Sequence, residues 1–77
     1  MTERWQELNR QAIDSLQRGD LERAESFLQQ GLKAARTDHG EDHESVAVTL
    51  NNMGELYLQA GDYEQSEQAL LQSIAVS

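Results

Sequence analysis

An internal repeat constrains the fold of this chain more than any other sequence feature. When each residue is compared with the one 42 positions further on, ten identities appear without a gap, all between residues 8 and 35 of the first copy. The matches include a complete turn, because Gly19-Asp20 falls on Gly61-Asp62. Chance similarity between two acidic helices would not keep one register across a turn. The repeat therefore predicts one supersecondary unit that occurs twice and stacks on itself.

Each unit is predicted to contain two helices separated by the glycine turn. In the first unit Leu8, Ala12 and Leu16 recur at helical spacing, and Thr2 is the expected N-cap. Gly19 accepts the left-handed conformation that closes a helix, and the aspartate after it can cap the next one. The helices are expected to span about residues 2–18, 21–38, 45–60 and 63–76. No run of β-branched residues predicts a strand, so the expected class is all-α.

A glycine inside the third predicted helix indicates how the helices pack. Gly54 costs about 1 kcal/mol relative to alanine in a helix interior. Its equivalent in the first unit is Ala12, and other small residues recur at matched positions. A small residue allows two helix axes to approach closely. We therefore predict that Gly54 lies at the crossing with the fourth helix and that alanine is tolerated there.

Composition limits the partners of the chain. Its 77 residues are expected to form one domain, residues 1–77, with a small core. The absence of cysteine excludes disulfides and thiolate metal ligands and suits a cytoplasmic location. A net charge of −8 repels phosphate backbones, so nucleic acid is not an expected partner. No apolar run approaches the roughly 18 residues of a membrane span, so no membrane partner is expected either.

The segment DHGEDHE, residues 38–44, is the strongest candidate for chemistry in this sequence. It places His39 and His43 beside carboxylates, and nitrogen and oxygen ligands of this kind can hold a metal ion. The segment falls in the connection between the two units, however, where helix capping and solvation also explain it. The sequence contains no glycine-rich phosphate loop and no nucleophile elbow. We therefore predict no catalytic residue, no metal and no cofactor, and the chain is not expected to be an enzyme.

The second unit carries a family resemblance. The spacing of Gly54, Tyr57, Gly61-Asp62-Tyr63, Ser66 and Leu70 resembles the tetratricopeptide repeat. The stretch GEDHESVAVTLNNMGELYLQAGDYEQSEQALLQSI more closely resembles the 42-residue variant found in kinesin light chains. The resemblance implies four antiparallel helices in two hairpins, repeat one over about residues 3–40 and repeat two over about 43–77. It also implies that the hairpins stack as a short right-handed α-solenoid.

The resemblance further implies a protein–protein interaction scaffold that binds a peptide or partner protein on a concave face lined by the first helix of each repeat. The residues assigned to this face are Asn9, Arg10, Ile13, Gln17, Val48, Asn51, Asn52, Glu55 and Gln59. Asparagine side chains can hydrogen-bond the backbone of an extended peptide whatever its sequence, although a solvated helix face is the alternative. Because Arg10 is the only cation in this set, an acidic C-terminal tail is not the expected ligand.

A structural or self-assembly module is the alternative function. The final helix is more apolar than its counterpart, since Leu71 replaces Gln29, and no polar capping helix follows it in the sequence. The residues predicted to form a surface for self-association or for a next repeat are Leu70, Leu71, Ile74 and Val76. A two-fold homodimer through this helix and a longer repeat array remain the two alternatives.

Overall fold

The computed structural model describes residues 2–76 and contains four α-helices and, in that range, no strand. In chain order the helices are α1 (Arg4–Gln17), α2 (Leu21–His39), α3 (Glu44–Ala60) and α4 (Tyr63–Val76). The predicted all-α class is confirmed. The pairs α1–α2 and α3–α4 form two helical hairpins, and these stack as a short solenoid.

The start of α1 differs from the prediction, because Glu3 and not Thr2 is the N-cap. The backbone N–H of Glu3 donates to Oε1 of Gln6 at 3.0 Å. The carboxylate of Glu3 also lies 2.5 Å from Nε2 of His39, the last residue of α2. The N-cap of α1 therefore contacts the end of α2. Local sequence preferences cannot predict this contact, because the two residues are far apart in the chain.

Both hairpins turn through a glycine in the left-handed conformation, with φ of 78° at Gly19 and 80° at Gly61. In the first hairpin the N–H of Asp20 donates to the carbonyl of Ser15 at 2.9 Å, and the N–H of Gly19 donates to the carbonyl of Leu16 at 3.1 Å. The second hairpin repeats these bonds at 2.8 and 3.2 Å. Together they form a Schellman motif, which satisfies carbonyls at the end of a helix. The predicted turns are confirmed.

Gly54 lies where α3 and α4 cross, as predicted. A Cβ atom added to Gly54 would lie only 2.6 Å from Cδ2 of Leu70. The hydroxyl of Ser66 donates to the carbonyl oxygen of Gly54 at 2.8 Å, so the two backbones are also held together by a hydrogen bond. Carbon atoms cannot pack at 2.6 Å, so a side chain at position 54 would require the side chain of Leu70 to move.

The helices form two layers. Within residues 2–76, Cα atoms of α1 and α3 approach within 8 Å of each other, whereas those of α2 and α4 do not. A stack whose helices touch in one layer and separate in the other curves toward the layer that touches. The side formed by α1 and α3 is therefore the inner side of the solenoid.

The core consists of two clusters that join the hairpins. Their buried members are Trp5, Ala34, Ala35, Val46 and Leu50 in the first, and Ala12, Leu16, Ala24, Leu28 and Leu56 in the second. Each cluster draws on α1, α2 and α3, so α3 packs against the first hairpin at both ends of its length. None of these buried members comes from α4, which packs mainly against α3.

Candidate partner-binding surfaces

A buried asparagine joins the two inner helices. The Nδ2 atom of Asn9 donates to the carbonyl of Trp5 at 2.8 Å and to Oγ1 of Thr49 at 2.9 Å. Its Oδ1 atom accepts a hydrogen bond of 2.8 Å from Nδ2 of Asn52. Thr49 in turn donates to the carbonyl of Ser45 at 2.8 Å. Two side-chain hydrogen bonds of Asn9 therefore join α1 to α3 inside the protein.

This arrangement contradicts the assignment of Asn9 to an exposed concave face. Asn9 is only 4% exposed, because α3 covers it from one side and α2 from the other. On the α2 side, a Cβ atom at Gly31 would lie 3.2 Å from Nδ2 of Asn9, so the glycine leaves just enough room for the amide. Asn9 is also not part of a solvated face, the other interpretation of the sequence. The sequence feature that comes nearest to predicting this burial is the pair Thr49 and Asn52, because their hydroxyl and amide lie one helical turn apart and can both bond to one side chain.

Two apolar side chains remain exposed beside this buried bond. Ile13, one turn after Asn9 on α1, is 41% exposed, and Val48, one turn before Asn52 on α3, is 43% exposed. Asn52 is half-buried, since its Nδ2 atom is bonded to Asn9. The other predicted members of the face are exposed, namely Arg10, Gln17, Asn51, Glu55 and Gln59. The structure therefore leaves a polar surface on α1 and α3 that includes two exposed apolar side chains.

The cation on this surface is already paired. Nη2 of Arg10 donates to both carboxylate oxygens of Glu7, at 2.6 and 2.8 Å. The hydrogen bond from Arg10 lowers the pKa of Glu7, and the same pairing raises the pKa of Arg10. Both side chains are largely in solvent, so the pair contributes little to stability. It does reduce the attraction of Arg10 for a second carboxylate.

Helix α4 carries a group of exposed apolar side chains. Leu70 is 37% exposed, Leu71 is 58% exposed and Ile74 is 70% exposed, and their assignment to a surface for self-association or for a next repeat stays a prediction. Val76 does not belong with them. It is half-buried and packs against the first core cluster, because the last turn of α4 lies over α3. Tyr63, which the prediction omitted, is 69% exposed and lies at the start of the same stripe.

His39 and His43, which flank the connection between the two repeats, make contacts that hold helix ends in place. The rings of His39 and His43 stack with centroids 4.0 Å apart, and the hydrogen bond from His39 lowers the pKa of Glu3. Nδ1 of His43 accepts a hydrogen bond of 3.0 Å from the backbone N–H of Ser45 and so caps α3. Within residues 2–76, no group of three or more histidine, aspartate or glutamate side chains is placed to hold a metal ion.

These features define a class of protein, the helical-repeat scaffold, in which short hairpins stack and present surfaces rather than an active-site cleft. A sequence model described as the tetratricopeptide repeat matches residues 6–77. The chain therefore belongs to the tetratricopeptide repeat family, whose repeats generally mediate protein–protein interactions. The closer resemblance to the kinesin-light-chain variant stays a prediction. Comparisons with curated proteins and with solved structures give no match. Among the described residues, no helix is both long and apolar enough to cross a membrane.

Proposed function

We propose that this protein is an interaction scaffold that binds an extended peptide, or an extended segment of a partner protein, on the inner side of α1 and α3. One observation carries the proposal. Ile13 and Val48 are each about two fifths exposed and lie one helical turn from Asn9 and Asn52, so each inner helix carries an exposed apolar side chain among polar ones. Exposed apolar groups rimmed by polar side chains are typical of protein-binding sites.

The polar members of this surface suit a peptide backbone. Asn52 uses its Nδ2 atom on Asn9 and retains a carbonyl oxygen that can accept a peptide N–H. Asn51, which is exposed, can offer both its donor and its acceptor. Asn9 is buried and donates both of its amide hydrogens inside the protein, so it is not part of the proposed site. The site is formed by Arg10, Ile13, Gln17, Val48, Asn51, Asn52, Glu55 and Gln59.

The charges favour an apolar or basic ligand. The chain carries −8, and Arg10 is paired with Glu7. A peptide that ends in acidic residues would meet repulsion without a free cation to receive it. The same balance disfavours nucleic acid as a partner. The proposed activity is binding without catalysis, and the proposed location is the cytoplasm.

Acidic substitutions at Ile13 and Val48 should weaken peptide binding. Peptides of about 12 residues selected by display on the parent protein provide the ligands, and fluorescence anisotropy measures their Kd. We expect Ile13→Asp and Val48→Asp each to raise Kd about tenfold or more, the loss typical of a central contact. Circular dichroism should show unchanged helix content, since both side chains are exposed.

Leu71→Asp is the matched control, because it also places an acid on an exposed apolar position but lies on the outer side of α4. Binding of the selected peptides should be unchanged in this variant. If Leu71→Asp abolished binding while Ile13→Asp and Val48→Asp retained it, the ligand would bind α4 and the proposal for the inner side would be wrong.

A second candidate function is assembly through α4, and the exposure of Leu71 and Ile74 favours it. Several large apolar side chains in water are costly for a small core, because burial of each is worth about 1.5–3 kcal/mol. A second copy of this chain or a further repeat could cover them.

Light scattering after size exclusion tests whether a second copy of the chain covers these side chains. We expect the parent protein to self-associate as its concentration rises, and Leu71→Glu or Ile74→Glu to shift it to monomer, because a buried carboxylate opposes the contact. A folded monomer at high concentration, with no response to either substitution, would exclude self-association through this surface.

A further inference from the structure

We propose that a cavity between α1 and α2 binds a small organic carboxylate that carries an apolar tail. The cavity has a volume of about 350 Å³, within the range of about 300–1,000 Å³ that is typical of ligand pockets. It is lined by Arg4, Leu8, Gln30, Lys33, Ala34 and Thr37. None of these residues belongs to the inner-side site for a peptide, so this proposal is independent of that one.

The two cations of the cavity are the ones that the rest of the protein leaves unpaired. The chain contains six lysine and arginine residues. Four of them pair with carboxylates at 2.6 to 3.8 Å, namely Arg10, Arg18, Arg23 and Arg36. Among residues 2–76, no ion pair includes Arg4 or Lys33, the other two. The unpaired positive charge of the described chain is therefore concentrated at one cavity.

The carboxylates that are closest in sequence do not neutralise these cations. Glu3 and Glu7 flank Arg4, but each carboxylate is already hydrogen-bonded to another side chain. Around Lys33, no acidic residue occurs from residue 26 to residue 37. Arg4 and Lys33 are both exposed, so their charges are open to an anion from solution.

The position of Arg4 is not explained by the stability of α1. Arg4 is the first residue of this helix, where the helix dipole disfavours a positive charge. A carboxylate bound beside Arg4 would neutralise that charge, and the planar guanidinium matches the two oxygens of a carboxylate. Since Arg4 has no stabilising partner within residues 2–76, its replacement should not weaken the fold.

The buried part of the lining is apolar. Ala34 is 2% exposed and belongs to the first core cluster, and Leu8 is half-buried and packs against the same cluster. The polar residues Gln30 and Thr37 lie one turn to either side of Lys33 on α2. A ligand with an anionic head and an apolar tail would meet the cations with the head and Leu8 with the tail.

The charge of the whole chain favours a carboxylate over a phosphate as the head. The net charge is −8, and it repels an anion in proportion to the charge that the anion carries. A phosphate monoester carries about two negative charges near neutral pH, whereas a carboxylate carries one. The two cations can therefore offset the repulsion of a carboxylate more completely.

An NMR titration of the isotope-labelled chain with octanoate tests the proposal. We expect saturable binding with a Kd of about 1 mM or less, the affinity that a ligand of this size can reach. The amide signals of Leu8, Lys33, Ala34 and Thr37 should shift most. Arg4→Gln and Lys33→Gln should each raise Kd about threefold or more, because each removes a charged hydrogen-bond donor. Octanamide, which has the same tail and no charge, should bind more weakly than octanoate.

Arg18→Gln is the matched control, because it removes the same charge from a residue that does not line the cavity. Arg18 follows α1, about 21 Å along the helix from Arg4, and charges at that distance are largely screened. Octanoate should bind this variant as it binds the parent, and circular dichroism should show equal helix content in all variants.

Several results would overturn the proposal. These are the absence of saturable binding, signal shifts confined to α4, equal Kd values for octanoate and octanamide, and equal losses in Arg4→Gln and Arg18→Gln. Titration with octyl phosphate tests the nature of the head. Tighter binding of octyl phosphate than of octanoate would overturn the assignment of a carboxylate.

Discussion

Replacement of Leu28 by alanine should leave the protein largely unfolded at 25 °C. Leu28 is fully buried in the second core cluster, where α1, α2 and α3 meet. Truncation of a leucine in such a place costs about 2–5 kcal/mol, the sum of lost burial and the cavity left behind. A core of this size supplies only about 3–5 kcal/mol of net stability. Circular dichroism at 222 nm should show the loss of helix, and urea unfolding should show a lowered midpoint.

Leu70→Ala is the matched control, since position 70 is equivalent to position 28 and Leu70 is 37% exposed. We expect this variant to keep its helix content and to lose less than about 1.5 kcal/mol, because part of the side chain is already in water. Equal losses for Leu28→Ala and Leu70→Ala would contradict the view that α3 alone separates the environments of the two leucines.

Leucine at position 54 should destabilise the protein by about 1–3 kcal/mol through overpacking. The helix propensity of leucine is better than that of glycine by almost 1 kcal/mol, so propensity alone would stabilise the variant. A net destabilisation therefore shows that overpacking is the larger effect. The added side chain would start 2.6 Å from Cδ2 of Leu70 and would push α4 away from α3. Urea unfolding measures the change. A Gly54→Leu variant as stable as the parent would show that α4 does not press on position 54.

Alanine at position 54 depends on the freedom of Leu70. Ala12 occupies the equivalent position, which predicts tolerance, but a Cβ at Gly54 also lies 2.7 Å from Cγ of Leu70. Because Leu70 is 37% exposed, it can turn toward solvent, and Gly54→Ala should be nearly neutral. In the Leu70→Ala background the obstacle is gone, and Gly54→Ala should stabilise by up to about 1 kcal/mol. A double-mutant cycle should show this coupling, and additive effects would contradict it.

Local sequence determined the helices and their turns. Gly19 and Gly61 adopt a positive φ that costs other residue types energy, and each is followed by an aspartate whose side chain accepts a hydrogen bond from the next helix, on Arg23 and Gln65. Each of these hydrogen bonds joins residues three positions apart, so the local sequence is enough to predict it. The crossing at Gly54 was also predictable, because the repeat supplied a small residue at the same position in the other hairpin.

Only the tertiary structure decided which side chains remain accessible. Asn9 and Asn51 are identical in type and in repeat position, yet one is bonded inside the protein and the other is exposed. Likewise Val76 packs on the core while Ile74, two residues earlier, is 70% exposed. The physical reason is that burial depends on which neighbouring helix covers a surface. Periodicity along one helix defines its faces, but the position of α3 over the first hairpin, and the lack of a corresponding helix over α4 within residues 2–76, assign those faces to the core or to a partner.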